Sequence, residues 1–185
     1  MRTRVIVVGI GLTATLFVST GTALATIPVG PGPSGNYVVE PQPSNCHYRT
    51  AAGGAALPDP ACTPGATNPK VIPDTLNSTI CRSGYTKSIR PPASITNAEK
   101  KLNAKSYDYT GPLSSAEYDH LVPLELGGDP NDPRNLWVEP DASPNAKDSV
   151  ENRLHQLVCN GTVPLQSAQE AIATDWTTAL TTVGG

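Results

Sequence analysis

The clearest pattern of apolar and polar positions lies in the second half of the chain. Residues 117–122, which contain Tyr118, Leu121 and Val122, are typical of a short strand that Pro123 ends. Gly, Asp, Asn and Pro then crowd together at 127–133, which is a strong turn signal, and residues 135–138 are typical of a second short strand. The pattern therefore predicts two strands joined by a long loop.

Helical spacing follows the second strand. Ser143 is a typical N-cap and Pro144 a typical first helical residue, and Asn160-Gly161 predicts that the helix ends near Cys159. The positions predicted to face the core are Ala146, Val150, Leu154, Leu157 and Val158. A last helix is predicted from a capping box that begins at Ser167. Its predicted buried stripe is Ala168, Ile172, Trp176 and Leu180.

Composition bounds the architecture around these elements. The chain has 185 residues, with 19 Pro and 16 Gly, which favours one loop-rich domain and excludes a collagen or a coiled coil. Residues 26–73 carry almost no periodic apolar pattern, so we expect a mobile or irregular N-terminal arm there. Residues 74–185 should form the folded domain, and the fold class is predicted to be α+β.

The first 25 residues resemble a secretory signal peptide. Arg2 and Arg4 form a basic start, residues 5–18 are uncharged and largely apolar, and Ala23-Leu24-Ala25 is a small-x-small cleavage site. A membrane anchor is the alternative, but it needs about 20 apolar residues, and this stretch is shorter. We therefore expect a secreted protein with no membrane attachment after cleavage.

The four cysteines are expected to form disulfides, because the destination of an exported chain is oxidising. No Cys-x-x-Cys pair occurs, which argues against a zinc site built on thiolates. Four cysteines allow three pairings. We favour Cys46 with Cys62, closing a local loop, and Cys81 with Cys159, tying the start of the folded core to a late helix.

Charge is distributed unevenly along the chain. The formal net charge is −3, so no overall basic field would attract nucleic acid. Residues 82–105 nevertheless hold six basic side chains and one acidic one, whereas residues 106–185 hold twelve acidic and three basic ones. This asymmetry is compatible with a basic flank for phosphates beside an acidic metal site, and equally with a solvated, lysine-bearing helix.

Polar residues with metal-binding or catalytic potential lie at defined spacings on the predicted strands and helix. Asp119-His120-Leu121-Val122-Pro123-Leu124 is followed by Asn135-Leu136 and, ten residues after Asn135, by Asn145. This arrangement resembles the ββα-metal core of HNH endonucleases. Residues 81–176, about half of the chain, are similar to small secreted bacterial members of that family. The family name expects histidine at the third motif position, and the HNH domain of the RNA-guided CRISPR nuclease resembles this chain in having asparagine there.

The resemblance implies a role for each motif residue. Asp119 and Asn145 would bind a divalent cation, while His120, on the opposite face of the strand, would take a proton from water. Asn135 would bridge the loop and position His120. Because an asparagine oxygen suits a hard cation and is a poor zinc ligand, Mg²⁺ or Mn²⁺ is the expected cofactor.

Two basic residues are candidate substrate contacts, and each motif residue has a structural alternative. Arg134 and Lys147 could bind phosphate oxygens, and Arg134 could bind two at once. Asp119 could instead form a salt bridge, and His120 could be a half-buried histidine bonded to a carbonyl. Asn145, near a helix start, could simply be a capping residue.

The expected function is that of a secreted, divalent-metal-dependent HNH-type endonuclease. Its expected substrate is the phosphodiester backbone of DNA, with RNA also open, cleaved with low sequence specificity by a monomer. The alternative is a catalytically inactive secreted binding module on an HNH-like scaffold. An exported antibacterial toxin is a third option, for which the chain offers no visible delivery domain.

Overall fold

The computed structural model describes residues 26–185, and the predicted signal peptide at 1–25 lies outside the described residues. The described part combines α-helices with two small antiparallel sheets, which is the predicted α+β class. In the first sheet β1 (Arg49–Thr50) pairs with β2 (Ala56–Leu57), and in the second β3 (Glu117–His120) pairs with β4 (Leu136–Glu139).

The helices of the described part are α1 (Tyr85–Ile89), α2 (Ala93–Ser106), α3 (Ala146–Cys159), α4 (Leu165–Thr174) and α5 (Ala179–Thr182). Helix α2 packs on strand β4, and the later helices build much of the main core. The main cluster of buried apolar side chains comes chiefly from α3, α4 and the 3-10 turn Leu124–Leu126. Within residues 26–185, none of the helices combines the length and apolar character needed to cross a membrane.

The hairpin of β3 and β4 is shorter than the sequence predicts at its first strand. β3 ends at His120, which pairs with Leu136, rather than continuing to Val122. The reason is that the backbone N–H and C=O of Val122 are bound by the side chain of Asn135 instead of by a strand (3.0 Å each). Val122 therefore belongs to the loop and forms no backbone pair with β4.

Helix α3 begins later than predicted, because Asn145 is its N-cap and not Ser143. The Oδ1 of Asn145 accepts hydrogen bonds from the backbone N–H groups of Lys147 (2.8 Å) and Asp148 (3.3 Å). Asp148 Oδ2 accepts in return from the Asn145 N–H at 2.8 Å, which completes a capping box. The Ser143 hydroxyl only donates to Asp148 Oδ2, and Pro144 lies before the helix.

The buried face of α3 also differs in part from the predicted stripe. Leu154, Leu157 and Val158 are buried as predicted, but Ala146 is exposed. Lys147 takes the inward position instead, because carboxylates in the interior compensate its charge.

Helix α4 begins two residues earlier than its predicted capping box. Pro164 is extended immediately before the helix, and its carbonyl accepts the first helical bond from Ala168 N–H (3.2 Å). Ser167 therefore lies inside the helix and caps nothing. Burial of Leu165 stabilises this earlier start. Trp176 is buried as predicted, although it lies beyond the end of α4.

The N-terminal segment 26–73 is irregular, as predicted, but it packs closely on the rest of the chain. Gly32 N–H bonds Asp129 Oδ2 at 2.6 Å, and Glu40 N–H bonds Glu99 Oε1 at 2.9 Å. Leu57 belongs to the main core. Because its backbone polar groups are bonded to the folded domain, this segment is a structural part of it.

Both preferred disulfides are confirmed. Cys46 is bonded to Cys62, and Cys81 is bonded to Cys159 at the end of α3. The first bridge packs in a separate cluster with Trp137, and the second joins the segment before α1 to the helix that carries Asn145 and Lys147. The second bridge closes the longer loop, of 78 residues, and so constrains the unfolded chain more.

Candidate functional site

Asp119 and His120 end strand β3 with their side chains on opposite sides. The Asp119 carboxylate faces helix α3 and accepts from Trp137 Nε1 at 2.9 Å. The His120 ring faces the loop between the strands, where its Nε2 lies 3.0 Å from the carbonyl oxygen of Pro130. This division follows from the alternation of side chains along a strand. It gives the site an acidic side and an imidazole side.

His120 is held as a neutral imidazole. The side chain is only 7% exposed, and burial lowers the pKa of the ring to about 4, against the smaller opposing effect of the bond to Pro130. Because a carbonyl oxygen can only accept, Nε2 must carry the hydrogen, and the lone pair lies on Nδ1. At neutral pH the ring is thus in the protonation state that a general base requires.

Asn135 is completely buried, and its side-chain amide is saturated with hydrogen bonds. Its Oδ1 accepts from Val122 N–H (3.0 Å) and Ala66 N–H (3.2 Å). Its Nδ2 donates to the carbonyl oxygens of Val122 and Asp129, both at 3.0 Å. Asn135 therefore clamps the two ends of the loop that carries Pro130. This geometry leaves it no free group with which to touch a substrate.

Two glutamates that the sequence analysis did not single out lie beside Asp119. Glu117 and Glu139 face each other across the hairpin, and Asn145 Nδ2 donates to Oε2 of each at 3.3 Å. Because the Asn145 Oδ1 is used by the helix cap, the residue presents its nitrogen, not its oxygen, to the acids. In this arrangement Asn145 orients the carboxylates through its Nδ2, and its Oδ1, the atom predicted to meet a cation, accepts the two N–H groups of the helix cap.

The glutamates of the acidic cluster keep their protons to higher pH than exposed carboxylates do. Burial, followed by the charge of Asp119, raises the pKa of Glu117 to about 7 and that of Glu139 to about 9. Trp137 and Lys147 both contact Oδ2 of Asp119, so Oδ1 is the oxygen that could bind a cation. Carboxylate oxygens from three residues suit a hard divalent cation such as Mg²⁺ or Mn²⁺. The residue types therefore suit such a cation, but among residues 26–185 the ligating atoms of these three carboxylates do not all lie within 4.8 Å of one another.

Lys147 was predicted to contact a phosphate, but its side chain lies inside the protein with 1% of its surface exposed. Its Nζ is 2.8 Å from Asp119 Oδ2, donates to the His120 carbonyl at 3.0 Å and forms an ion pair with Glu151. Burial alone would lower the pKa of the ammonium, but Asp119 and Glu151 together raise it. Lys147 therefore connects α3 to the strand that carries the site and is not open to substrate.

Arg134 was the other predicted phosphate contact, and the structure ties its guanidinium to Asp132. The Nε donates to Asp132 Oδ1 at 2.9 Å and an Nη forms an ion pair with Oδ2 of the same carboxylate. The same guanidinium also donates to the Val29 carbonyl at 3.3 Å. The N–H groups of the guanidinium are thus bonded to acceptors within the protein, although 46% of the side chain is exposed.

A groove of about 470 Å³ runs from the α1–α2 connection to His120, and we call it the Arg90 groove. Glu117 and His120 line one part of it, and Arg90 and Lys100 supply positive charge. Its polar lining is completed by Thr96, Asn97, Ser114 and Ser143. Within residues 26–185 the Arg90 guanidinium has no hydrogen bond or ion pair, and its charge acts on the His120 ring. Two of the six basic residues of the stretch 82–105, Arg90 and Lys100, thus lie in the groove that His120 lines.

A second group of metal-ligating residues lies apart from this site. The sulfur atoms of Cys81 and Cys159 and a ring nitrogen of His155 lie within 4.8 Å of one another. The two sulfurs are joined in a disulfide, and His155 Nε2 is bonded to the Ile80 carbonyl at 3.0 Å. Such a group could hold a metal only after reduction to two thiols.

Sequence reasoning missed three residues of the site for different reasons. Glu117 lies two positions before Asp119, so strand alternation could have placed the two on one face. Glu139 requires the strand register, which the sequence does not specify. Arg90 lies within the basic stretch 82–105, but nothing in the pattern distinguishes it from its basic neighbours.

Comparisons with known proteins leave this site to be interpreted from its own geometry. No protein-family model, curated protein or solved structure matches this chain. The groove, the imidazole of His120 and the acidic cluster are therefore the basis for inferring the function.

Proposed function

We propose that this protein is a divalent-metal-dependent endonuclease of the HNH type, in which β3, β4 and α3 form the ββα-metal core. The observation that carries the proposal is that a neutral His120 and the carboxylate of Glu117 line one groove with an unpaired guanidinium, Arg90. A base, an acidic cation site and a phosphate-binding cation are the parts that phosphodiester hydrolysis needs. The substrate is the backbone of DNA, with RNA as a second polymer of the same chemistry.

His120 acts as the general base in this proposal. Its Nδ1 accepts a proton from the attacking water, while the Pro130 carbonyl holds Nε2–H and thereby sets the tautomer. The negative charge of Asp119, on the other face of β3, favours the imidazolium that forms, and the positive charges of Arg90 and Lys147 oppose it. The ring can thus accept a proton in its neutral form, and the charge of Asp119 then partly offsets that of the imidazolium.

The acidic side of the site would hold the cation through Asp119 Oδ1, Glu117 and Glu139, whose oxygen atoms would have to move closer together than they are in this structure. When bound, a divalent ion shields the phosphoryl oxygens and stabilises the departing alkoxide. Asn145 keeps the two glutamates together through its Nδ2, and Lys147 fixes Asp119 through Oδ2. Since Glu117 and Glu139 have raised pKa values, protons compete for the same oxygens, and cation affinity should increase with pH.

Secretion as a monomer is part of the same proposal. Two disulfides in the described part of the chain are compatible with an oxidising destination, and residues 1–25 have the composition of a signal peptide. The negative net charge should make binding to nucleic acid modest and sensitive to salt. Contacts to phosphate rather than to base edges would give little sequence specificity.

Cleavage of supercoiled plasmid tests the proposal. Residues 26–185 should nick the plasmid in the presence of Mg²⁺ or Mn²⁺, and EDTA should abolish the activity. Asp119→Asn, which removes a charged ligand, should raise the Mn²⁺ concentration needed for half-maximal activity by about tenfold. A folded chain that is inert with plasmid and with RNA under several divalent cations would reject the nuclease and favour a binding module.

Arg90→Ala should reduce cleavage about tenfold or more. A hydrogen bond to a charged group contributes roughly 1.5–3 kcal/mol, and Arg90 has no partner in the described chain that would keep it from a phosphate. The measurement is the cleavage rate at two salt concentrations. Lys101→Ala is the matched control, because Lys101 is exposed on α2 outside the Arg90 groove. Equal losses in the two variants would point to general charge attraction instead of a specific contact.

A further inference from the structure

Two buried oxygen atoms near the site have no hydrogen-bond partner among residues 26–185. They are Oε2 of Glu99, on helix α2, and Oδ1 of Asn131, in the loop between β3 and β4. Glu99 is 0% exposed and Asn131 is 7% exposed. The Asn131 side chain lies close enough to the Glu99 carboxyl to act on it by hydrogen bonding. An unsatisfied buried acceptor is costly, and two on adjoining side chains call for a common explanation.

The other atoms of both side chains are already engaged with the N-terminal segment. Glu99 Oε1 accepts from the backbone N–H of Glu40 at 2.9 Å, and Asn131 Nδ2 donates to the Val38 carbonyl at 3.0 Å. Turning the Asn131 amide would offer a donor to Glu99, but it would place Oδ1 against the Val38 carbonyl. No orientation of the amide satisfies both neighbours. A hydrogen on Glu99 Oε2, donated to Asn131 Oδ1, would satisfy both oxygen atoms.

The surroundings of Glu99 favour its neutral form. Burial raises the pKa of Glu99, and the carboxylate of Glu40 in the N-terminal segment raises it further. From β3, the phenol of Tyr118 faces the same region, and burial likewise raises its pKa, which keeps it neutral. The hydrogen bonds from Glu40 N–H and from Asn131 oppose these effects without reversing the direction.

We propose that Glu99 is a carboxylic acid that donates its hydrogen to Asn131 Oδ1 and is a positioning residue for His120. Asn131 directly follows Pro130, the residue whose carbonyl binds His120 Nε2. A bond from α2 to Asn131 therefore fixes the loop backbone that sets the orientation and tautomer of the ring. The catalytic consequence rests on the proposed nuclease function, whereas the protonation state of Glu99 does not.

The proposal has a definite dependence on pH. Glu99 binds a proton in the folded state at pH values where a free glutamate, with a pKa of about 4.3, has lost it. Its contribution to folding stability is therefore fully present at low pH and is lost as pH rises through the folded-state pKa. Above that point a carboxylate would face the Asn131 oxygen, and the loop at Pro130 should loosen.

Glu99→Gln and Glu99→Leu test the proposal as a pair. Glutamine can accept from Glu40 N–H and donate to Asn131 Oδ1 at any pH, so it should keep the cleavage rate of the wild type and extend it to higher pH. Leucine has neither group, and we expect cleavage to fall roughly tenfold to hundredfold through misplacement of His120. A carboxylic-acid carbonyl band that the glutamine variant lacks should appear in the infrared spectrum of the wild type at neutral pH.

A readout that does not need activity separates this proposal from the nuclease function. The NMR signal of the His120 Nε2–H should be protected in the wild type and in Glu99→Gln, and lost in Glu99→Leu. If the chain is inert but the infrared band and this protection are seen, the nuclease function fails and the hydrogen bond stands. Absence of the band, or a glutamine variant as impaired as the leucine variant, would mean an ionised Glu99 bridged by water and would overturn the proposal.

Discussion

Replacing His120 with alanine should lower the rate of plasmid cleavage by about 10²- to 10⁴-fold, the usual contribution of a general base. The imidazole is neutral, its Nε2 is fixed by the Pro130 carbonyl, and it lines the Arg90 groove beside Glu117. Removing it leaves the acidic cluster and Arg90 in place, so binding of plasmid should change little. The cleavage rate and the plasmid affinity should therefore respond very differently to the substitution.

Two controls make this result specific. His47→Ala removes an exposed imidazole from the N-terminal segment and should leave the rate unchanged. The pH profile of the wild type should fall on its acid side near the pKa of His120, about 4, because the protonated ring cannot accept a proton. An activity in His120→Ala within a few-fold of the wild type would mean that another group activates the water, and the proposed mechanism would be rejected.

Replacing Lys147 with methionine should destabilise the protein by about 3–5 kcal/mol, the cost of removing one partner from a buried ion pair. The ammonium is almost completely enclosed and forms ion pairs with both Asp119 and Glu151. Without it, two buried carboxylates would face each other with no compensating charge. Unfolding by urea, followed by circular dichroism, measures the difference in the free energy of unfolding.

The pH dependence of this loss follows from the carboxylates. Burial raises the pKa of Glu151 to about 8 even with Lys147 present, and removing the ammonium should raise it further. Glu151 would then be protonated at low pH, so the deficit of Lys147→Met should be smallest there and grow as pH rises.

Matched variants show whether the lost ion pair is the cause. Lys101→Met, on the exposed face of α2, should cost less than about 0.5 kcal/mol. Adding Glu151→Gln to Lys147→Met should recover part of the loss, because one of the two uncompensated charges is removed. A Lys147→Met deficit below 1 kcal/mol would show that the ammonium is not the charge that holds this region together.

Local sequence signals predicted the elements of the site well. The turn-rich stretch 127–133 and the apolar runs on either side specify a hairpin, because turn residues and strand alternation act over a few neighbouring positions. The end of α3 was predicted to within a residue, since Asn160-Gly161 cannot continue a helix easily. Its start was misassigned because Ser143 and Asn145 are both good caps. Only the reciprocal bonds with Asp148 decide between them.

The chain alone left three disulfide pairings open, and the structure contains the one that we favoured. The chain did determine the side of β3 on which each motif residue lies. Adjacent strand residues must point to opposite faces, so Asp119 and His120 had to separate into an acidic side and an imidazole side.

Tertiary structure decided which groups meet each other. The pairing of Glu117 with Glu139, the enclosure of Lys147 and the free guanidinium of Arg90 depend on strand register and on packing between distant segments. A lysine in a sequence is equally suited to solvent, to a phosphate or to a buried carboxylate. Its surroundings in space select one of these, because the free energy of a charge is set by the groups around it and not by its neighbours in the chain.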